Sequence, residues 1–423
     1  MTSAVLRVRV GGVRAAMLAR AADGPVLQYD ADYLAFSEAV PLSLSLPLRA
    51  QPHEGPLVAT WLDGLLPDLP AQRDQWRRAV GAVSSDPFDL LASPIGAECA
   101  GAVQFEPDGP TEPMSALEPV CDAELAEALR DMSEGALLGG WRDDPLASFS
   151  LAGTMPKLAL RRSGSRWHEA LGDEPTTHIL KPSMKVYPGQ AVAEHLALAT
   201  ARRLGITAAR TQVAVIGGTE TLIVERFDRA HLPSAPQSVT RIHQEDLCQA
   251  LGRPAAQRFE RDGGPSPTEV ASLLRIHSAS RQADLAAWFQ RLMYCWVIVA
   301  NDAHAKNHAL LHLPGAVCRL APLYDTASWL PYTDLPAADI HLAMSLGGRF
   351  EAGHGDRSED WRHFARDIGV DARWAAEQIQ RIAANTPACL QAEIDALSPD
   401  DRSSGITTRL LAAITQRCDS ITA

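Results

Sequence analysis

The chain has 423 residues, which is long enough for two or three domains that each bury a core. A hydrophobic share of 46% is ordinary for a globular protein, and a formal net charge of −12 argues against a chain that coats nucleic acid through bulk positive charge. No run approaches the roughly 20 apolar residues that a membrane span needs. Seven scattered cysteines without a CxxC pair indicate neither a metal nor a disulfide framework, and they predict a reducing cytoplasm.

The first part of the chain has the patterns of a β-rich domain. The N-terminal "VLRVRV" alternates apolar residues with arginine, so we interpret it as a strand followed by a "GG" turn, and "PLSLSLPL" alternates again. Helical patterns follow over 56–80, and a short helix is expected over 121–133. We place a domain boundary in "GGWRDDP", so that residues 1–140 form an N-terminal β-rich subdomain.

Residues 141–228 change to the pattern of a small lobe with strands and one helix. "SFSLAGTMPKLALRR" and "THILKPS" predict strands, and "AVAEHLALATARRLGI" predicts an amphipathic helix that ends near Gly205. "TQVAVIGGTETLIVERFDR" predicts a hairpin that turns at Gly217 and Gly218.

Residues 229–423 are mostly helical in pattern. The expected long helices lie near 267–300, 358–395 and 404–418, with one strand pair at 308–323. A small β lobe followed by a large all-helical C-terminal lobe predicts an α+β fold with a bilobal, protein-kinase-like architecture.

A polar island interrupts the apolar pattern in "VIVANDAHAKNHALLH". Asp302 and Asn307 stand in D-x-x-x-x-N register, in which kinases place the residue that accepts the hydroxyl proton and a Mg²⁺ ligand. Asp325 follows an apolar stretch in "CRLAPLYD", where a second metal-binding Asp is expected, and Lys306 inside the loop suits a γ-phosphate. The alternative is structural: Asp302 and Asn307 cap a helix, and His304 is a satisfied core histidine.

Other parts of a kinase site have candidates of lower specificity. Lys181 ends a strand-like run where a phosphate-binding lysine is expected, and Glu194 in the next helix is a candidate to orient it. "SLAGTMPK" has the single glycine Gly153 of a phosphate-covering loop, and Glu225 to Phe227 follow an apolar strand where an adenine pocket is expected. Each also has an ordinary interpretation, as a surface lysine, a solvated helix position, a plain hairpin or a strand exit.

Several motifs together resemble one family. "SFSLAGTMPKLAL", "THILKPS", "VERFDR", "RIHQEDLCQALG", "NDAHAKNHALL" and "LAPLYDTAS" occur in the order found in HipA proteins, the serine/threonine kinase toxins of bacterial toxin–antitoxin modules. "PLSLSLPL", "WLDGLLPD" and "FDLLASPIGAECAGAVQF" resemble the first subdomain of that family. The resemblance extends from about residue 5 to residue 350.

The resemblance implies a set of site residues. Asp302 would accept the hydroxyl proton, Asn307 and Asp325 would bind Mg²⁺, and Ser150 would be an autophosphorylated serine, with Ser148 as a second candidate. Two added negative charges at Ser150 would repel ATP phosphates from the adjoining loop. The residues implied to bind ATP are Ala152, Gly153, Thr154, Met155, Pro156, Lys157, Lys181, Glu225, Arg226, Phe227, His304, Lys306, Asn307, Tyr324 and Asp325.

The resemblance also implies partners. The expected substrate is an aminoacyl-tRNA synthetase such as the glutamyl enzyme, the expected antitoxin is a HipB-like helix-turn-helix protein, and operator DNA would be bound mainly through that antitoxin. One departure from the family pattern is Met155–Pro156 in the phosphate loop, because proline lacks an N–H donor. Two alternatives remain: a weakly active pseudokinase that binds antitoxin and operator as a corepressor, and a small-molecule phosphotransferase.

Overall fold

The computed structural model describes residues 5–107, 115–135, 155–232, 234–315, 317–333, 339–353 and 357–422. The strands are β1 (Val5–Val10), β2 (Val13–Ala21), β3 (Gly24–Tyr29), β4 (Val103–Pro107), β5 (Ser115–Pro119), β6 (Leu158–Ser163), β7 (Arg166–Gly172), β8 (His178–Pro182), β9 (Thr211–Ile216), β10 (Thr219–Glu225), β11 (Arg229–Leu232), β12 (Ala235–Arg241), β13 (His243–Asp246), β14 (Ala309–Leu313), β15 (Val317–Leu320), β16 (His341–Leu346) and β17 (Arg349–Glu351).

The helices surround these strands and dominate the second half of the chain. They are α1 (Ala31–Ala35), α2 (Pro56–Gly64), α3 (Pro70–Ala79), α4 (Pro87–Leu91), α5 (Asp122–Ser133), α6 (Gln190–Arg203), α7 (Leu247–Ala250), α8 (Pro267–His277), α9 (Arg281–Val297), α10 (Ser358–Asp367), α11 (Ala372–Asp395), α12 (Pro399–Arg402) and α13 (Gly405–Thr422). Among the described residues, no helix combines the length and apolarity needed to cross a membrane.

The first domain is built on an antiparallel sheet with strand order β3-β2-β1-β4. Alternate residues of β1 point into its core, as the sequence pattern predicts. The strand predicted for "PLSLSLPL" is wrong: it forms a loop with an isolated bridge between Ser43 and Leu46. The physical reason is a partner from far along the chain, because the Ser43 hydroxyl and the Leu44 N–H donate to the carboxylate of Glu245.

The small lobe holds a six-stranded sheet with order β5-β7-β6-β8-β10-β9. Gly217 and Gly218, at φ +56° and +86°, turn the β9–β10 hairpin, and Gly205 at φ +84° follows the end of α6, so both glycine predictions are confirmed. Residues 115–135, which sequence reasoning placed in the first domain, belong by contact to this sheet: β5 pairs with β7, and α5 packs on β8 and β10. The expected boundary at 140 lies outside the described residues.

The large lobe is mostly helical, around a core that contains Trp288, Phe289, Trp296 and Trp361. It is not purely helical, because a three-stranded sheet β13-β14-β15 and the hairpin β16–β17 lie within it. The helical pattern expected near 267–300 is present as two helices: α8 ends at His277, and a buried hydrogen bond from the Ser278 hydroxyl to Asp284 holds the corner before α9. Strand β14 of the three-stranded sheet begins directly after the polar island, so this sheet holds the island in place.

Candidate active site

A cleft of about 460 Å³ opens where the three parts of the chain meet. The first domain contributes Asp68, the small lobe contributes Lys181, and the large lobe contributes Asp302 and Asp325. This volume lies in the range of small-molecule sites in proteins. The sequence candidates therefore converge on one cavity, although they are far apart in the chain.

Lys181 forms the electrostatic centre of the cleft. Its Nζ lies 2.8 Å from Glu194 Oε1 and 2.6 Å from Asp325 Oδ1, so one ammonium joins β8, helix α6 and the segment after β15. Burial opposes the charge on Lys181, but Asp325 and Glu194 outweigh it and raise the pKa of the lysine. Burial likewise opposes the charge on Asp325, and Lys181 followed by Lys157 lowers the pKa of Asp325 to about 2. The orienting contact that sequence reasoning left open for Glu194 is present.

Two backbone positions with positive φ lie near the cleft, one just before the polar island and the other at Asp325, after β15. Val299, fully buried at φ +54°, and Asp325, at φ +50°, are the non-glycine residues with positive φ among those described. Such a conformation is strained, most of all for a β-branched residue, and it persists only where packing enforces it. At Val299 this conformation reverses the chain after α9. At Asp325 it turns the carboxylate toward Lys181.

The island itself is held by hydrogen bonds to its own backbone. Asn307 Nδ2 donates to the Asp302 carbonyl at 2.8 Å, and the Tyr324 hydroxyl donates to the Lys306 carbonyl at 2.7 Å. The Asn307 contact uses the amide nitrogen and leaves its oxygen, the atom that binds Mg²⁺ in proteins, for another partner. The loop is therefore rigid where a positioned carboxylate is needed.

Asp302 is accessible from the cleft, with 73% of its side chain exposed. Partial removal from bulk water and then the charge of Asp325 raise the pKa of Asp302 to about 6. The cleft walls and the charge of Asp325 therefore raise the pKa of Asp302. The side chain is still open to water, so an acceptor in the cleft can reach the carboxylate. His304 Nε2 lies 3.8 Å from Asp302 Oδ1, and burial lowers the pKa of this histidine to about 4, so it is neutral at pH 7.

Lys306 also lines the cleft, but its charge is already paired. The side chain is 3% exposed, and Nζ lies 3.1 Å from Asp246 Oδ2, 3.3 Å from the Gly64 carbonyl and 3.7 Å from Asp68 Oδ1. Asp246 in turn caps α7 in a capping box with Gln249. In this structure Lys306 fastens the island to the first domain.

With this geometry established, the comparisons with known proteins identify the family. The HipA-like C-terminal domain family matches residues 149–390, and the HipA N-terminal domain family matches residues 6–106. The chain belongs to the HipA family. The resemblance stated from the motifs is therefore confirmed, and this family includes serine/threonine kinase toxins.

Individual HipA relatives cover nearly the whole chain. Y4mE of Sinorhizobium fredii is 32% identical over 365 residues, which span 85% of this chain and 84% of Y4mE. The serine/threonine-protein kinase toxin HipA of Shewanella oneidensis is 27% identical over 390 residues, 90% of this chain and 87% of that toxin. The HipA chain in a complex of Shewanella oneidensis HipA, HipB and operator DNA superimposes with a TM-score of 0.84 at 25% identity, covering 98% of this chain and 97% of that one. The α+β kinase-like fold is thus confirmed.

The segment expected to hold adenine lines the cleft of this HipA fold at the end of β10. The N–H groups of Glu225 and Arg226 donate to the carbonyls of Arg210 and Thr177, both at 2.9 Å. The Phe227 ring lies 5.4 Å from the Tyr324 ring, between the small and large lobes. The segment therefore presents the Phe227 ring to the cleft, and two of its backbone N–H groups already donate hydrogen bonds within the protein.

The Arg226 side chain has a role that sequence reasoning missed. It joins a buried ion network that links the first HipA domain to the strand end. The members, all at most 8% exposed in their side chains, are Glu98, Arg226, Asp228, Arg229 and Arg241. Three arginines outweigh the cost of burial and lower the pKa of Glu98 far below its usual range. The available signal was the charge density of "VERFDR" directly after an apolar strand.

Part of the predicted phosphate loop can be placed. Ser148, Ser150 and residues 152–154 lie outside the described residues. Met155 and Lys157 line the cleft, and Pro156 is buried. Burial lowers the pKa of Lys157 to about 8, an effect that Asp325 partly opposes and Lys181 reinforces.

The donor set of the cleft fits a magnesium–phosphate complex better than a metal held by protein alone. Within the described ranges, no group of three or more His, Cys, Asp or Glu side chains could enclose a metal ion. Asp325 and the Asn307 amide oxygen offer two hard oxygen ligands, and Mg²⁺ commonly completes such a shell with phosphate oxygens and water.

Proposed function

We propose that this protein is an ATP-dependent protein serine/threonine kinase and the toxin of a type II toxin–antitoxin module. One observation carries the proposal: Lys181 contacts Glu194 and Asp325 in the cleft that Asp302 also faces. Protein kinases use a strand lysine, a helix glutamate, a metal-binding Asp and a catalytic-loop Asp in these roles. A small-molecule phosphotransferase would share this logic, and the HipA N-terminal domain favours the protein kinase.

The cleft suggests how ATP would lie. With the N–H groups of Glu225 and Arg226 occupied, adenine would use the Glu225 carbonyl and the Phe227 N–H, and would stack near Tyr324. Residues 152–157 and Lys181 would hold the phosphates, with His304 and Lys306 in the surrounding wall. Asn307 and Asp325 would hold Mg²⁺, which supplies charge neutralisation for the phosphates when bound.

Asp302 would act on the acceptor. A serine hydroxyl in the cleft would donate its proton to the Asp302 carboxylate while its oxygen attacks the γ-phosphorus. With a pKa of about 6, the carboxylate is mostly ionised at pH 7 and still basic enough to accept a proton during transfer.

The toxin assignment extends to partners and control. We infer that the substrate is a translation component, an aminoacyl-tRNA synthetase such as the glutamyl enzyme, and that phosphorylation of Ser150 inactivates the kinase. A HipB-like antitoxin would neutralise it in the bacterial cytoplasm. The Shewanella oneidensis HipA structure is a complex with HipB and operator DNA. The net charge of −12 of this chain supports contact with DNA mainly through an antitoxin of that kind.

A second candidate is a pseudokinase that acts as a corepressor with its antitoxin. The observation that favours it is Pro156, which cannot donate an N–H to phosphate from the loop that should cover ATP. The Lys181, Asp302, Asn307 and Asp325 set favours the active kinase.

The deciding experiment is peptide mass spectrometry after incubating dephosphorylated protein with Mg²⁺-ATP, beside Asp302→Gln and Ser150→Ala. Phosphate on Ser150 in the wild type alone supports the kinase, and Ser150→Ala should stay active on its substrate and become more toxic. If neither wild type nor Asp302→Gln gains phosphate, the corepressor is the better assignment.

A further inference from the structure

One cation of the cleft has no role in the site described so far. Arg258 lies between the short 3-10 turns Ala255–Gln257 and Glu260–Asp262. Its backbone carbonyl accepts the N–H of Ala305 at 3.1 Å, which places this residue directly against the polar island. Its side chain lines the cleft and is 26% exposed, so the guanidinium is reachable from the cavity.

Two other cations near the island, Lys181 and Lys306, are already engaged. Lys181 contacts Glu194 and Asp325, and Lys306 contacts Asp246. In the part of the chain that the structure describes, the Arg258 guanidinium makes no hydrogen bond. Its ionic contact is a long one, 3.9 Å from Nη1 to Asp68 Oδ2, and it lies over the Phe259 ring at 5.2 Å.

Arg258 is also the cation that acts most strongly on the catalytic carboxylate. Among positive groups it lowers the pKa of Asp302 more than Lys181 does, and it is the first charge that lowers the pKa of His304. Arg258 and Asp302 line the same cleft, and the Arg258 backbone is bonded to Ala305 of the island that carries Asp302, so we place the guanidinium where the acceptor hydroxyl would meet the γ-phosphate.

Phosphoryl transfer requires positive charge at this point. The three peripheral oxygens of the γ-phosphoryl group carry charge in the transition state, and an arginine there is worth roughly 10³–10⁵ in rate where it has been measured in other phosphotransferases. A guanidinium suits this role because it remains charged and offers a planar pair of donors.

We propose that Arg258 binds the γ-phosphoryl group of ATP and stabilises its transfer to the acceptor hydroxyl. This inference rests on the proposed kinase function. In the step, the hydroxyl oxygen bonds to the γ-phosphorus, the bond from phosphorus to the β,γ-bridging oxygen breaks, ADP keeps that electron pair, and the hydroxyl proton moves to Asp302. Arg258 donates hydrogen bonds to the peripheral oxygens throughout and exchanges no proton.

Asp68 of the first domain lies between two cations of the cleft. Its side chain is 9% exposed, Oδ2 lies 3.9 Å from Arg258 Nη1, and Oδ1 lies 3.7 Å from Lys306 Nζ. The contact with Arg258 is too long for a hydrogen bond, so it leaves the donors of the guanidinium for phosphate.

The test compares Arg258→Gln and Arg258→Lys with Arg261→Gln. Arg261 belongs to the same segment, but it is exposed and lies over Phe350 at 4.5 Å, outside the cleft. Binding of Mg²⁺-AMPPNP and Mg²⁺-ADP to full-length protein is measured by calorimetry. Arg258→Gln should weaken AMPPNP by about 10–100-fold, the value of losing charge-assisted hydrogen bonds, and leave ADP within about twofold. Arg258→Lys should recover part of the loss, and Arg261→Gln should match the wild type.

Turnover gives a second readout. Arg258→Gln should lower kcat by about 10²–10³ with little change in the KM of the protein substrate. An unchanged AMPPNP-to-ADP ratio in Arg258→Gln overturns the Arg258 assignment whether or not the protein proves to be a kinase. If the wild type binds both nucleotides without transferring phosphate, the kinase proposal fails while the ratio still decides whether Arg258 contacts the γ-phosphate. If the wild type binds neither nucleotide, both proposals fall.

Discussion

Glu98 Oε1 lies 2.9 Å from Arg226 Nη1, and this buried contact joins the first domain to the strand end that faces the cleft. The same oxygen lies 2.8 Å from Arg229, and Oε2 lies 2.6 Å from Arg241. A carboxylate enclosed by three guanidinium groups cannot be removed without leaving buried positive charge uncompensated. The first domain is therefore tied to the strand end that lines the cleft, and its own residues form part of the cleft wall.

Glu98→Gln should destabilise the protein by about 3–5 kcal/mol, the usual cost of removing one partner from a buried ion pair. Because Arg226 lies beside the proposed adenine site, the KM for ATP should also rise. Thermal unfolding and ATP kinetics measure the two effects. Glu134→Gln is the matched control, since Glu134 pairs with Lys185 on the surface, where solvent screens the pair, and the variant should unfold at close to the wild-type temperature. Equal effects of the two variants would contradict the role assigned to Glu98.

The pH dependence of turnover follows from Asp302. Its pKa is raised to about 6, and only the ionised carboxylate accepts a proton, so kcat should fall as the pH drops through about 6. At one pH unit below that value the rate should be roughly a tenth of its plateau. The residual activity of Asp302→Gln should lack this acidic limb. A flat profile between pH 5 and 8 in the wild type would exclude Asp302 as the proton acceptor.

Asp325→Asn should raise the Mg²⁺ concentration needed for half-maximal activity by about tenfold or more, because a neutral amide is a weaker magnesium ligand than a carboxylate. It also leaves Lys181 with Glu194 as its acidic partner. Activity is measured against Mg²⁺ at saturating ATP. Asp367→Asn, on the surface of α10 beside His363, is the control and should give the wild-type curve. An unchanged magnesium requirement in Asp325→Asn would remove Asp325 from the metal site.

Lys306→Met should destabilise the protein by about 3 kcal/mol, because it leaves the buried Asp246 and Asp68 carboxylates without their shared cation. If the main role of Lys306 is this ion pair, Lys306→Met with Asp246→Asn should be less destabilised than the sum of the two single variants. Chemical denaturation measures the coupling. Additive losses, together with a large fall in AMPPNP affinity for Lys306→Met, would instead support the γ-phosphate contact first suggested for this lysine.

Local signals determined much of what could be predicted. The glycine pairs that turn β1–β2 and β9–β10, the period of α6, and the D-x-x-x-x-N register of Asp302 and Asn307 depend on neighbours within a few residues. Steric limits on φ and the repeat of apolar side chains act over that range, so the sequence by itself determined these elements and the composition of the polar island.

Tertiary structure alone decided the long-range pairs. Lys181 and Asp325 are 144 residues apart, and Glu98 and Arg226 are 128 residues apart, so no local pattern connects them. The same distance explains the failure at "PLSLSLPL", where Glu245 takes up a backbone donor and a hydroxyl from a segment about 200 residues away. Packing of apolar faces decides which helices and strands come into contact. Charged side chains such as Lys181 and Asp325 lie within ion-pair distance only once that packing has formed. Charge pairing across domains is therefore a property of the assembled fold, whereas turn, helix period and motif spacing belong to the sequence.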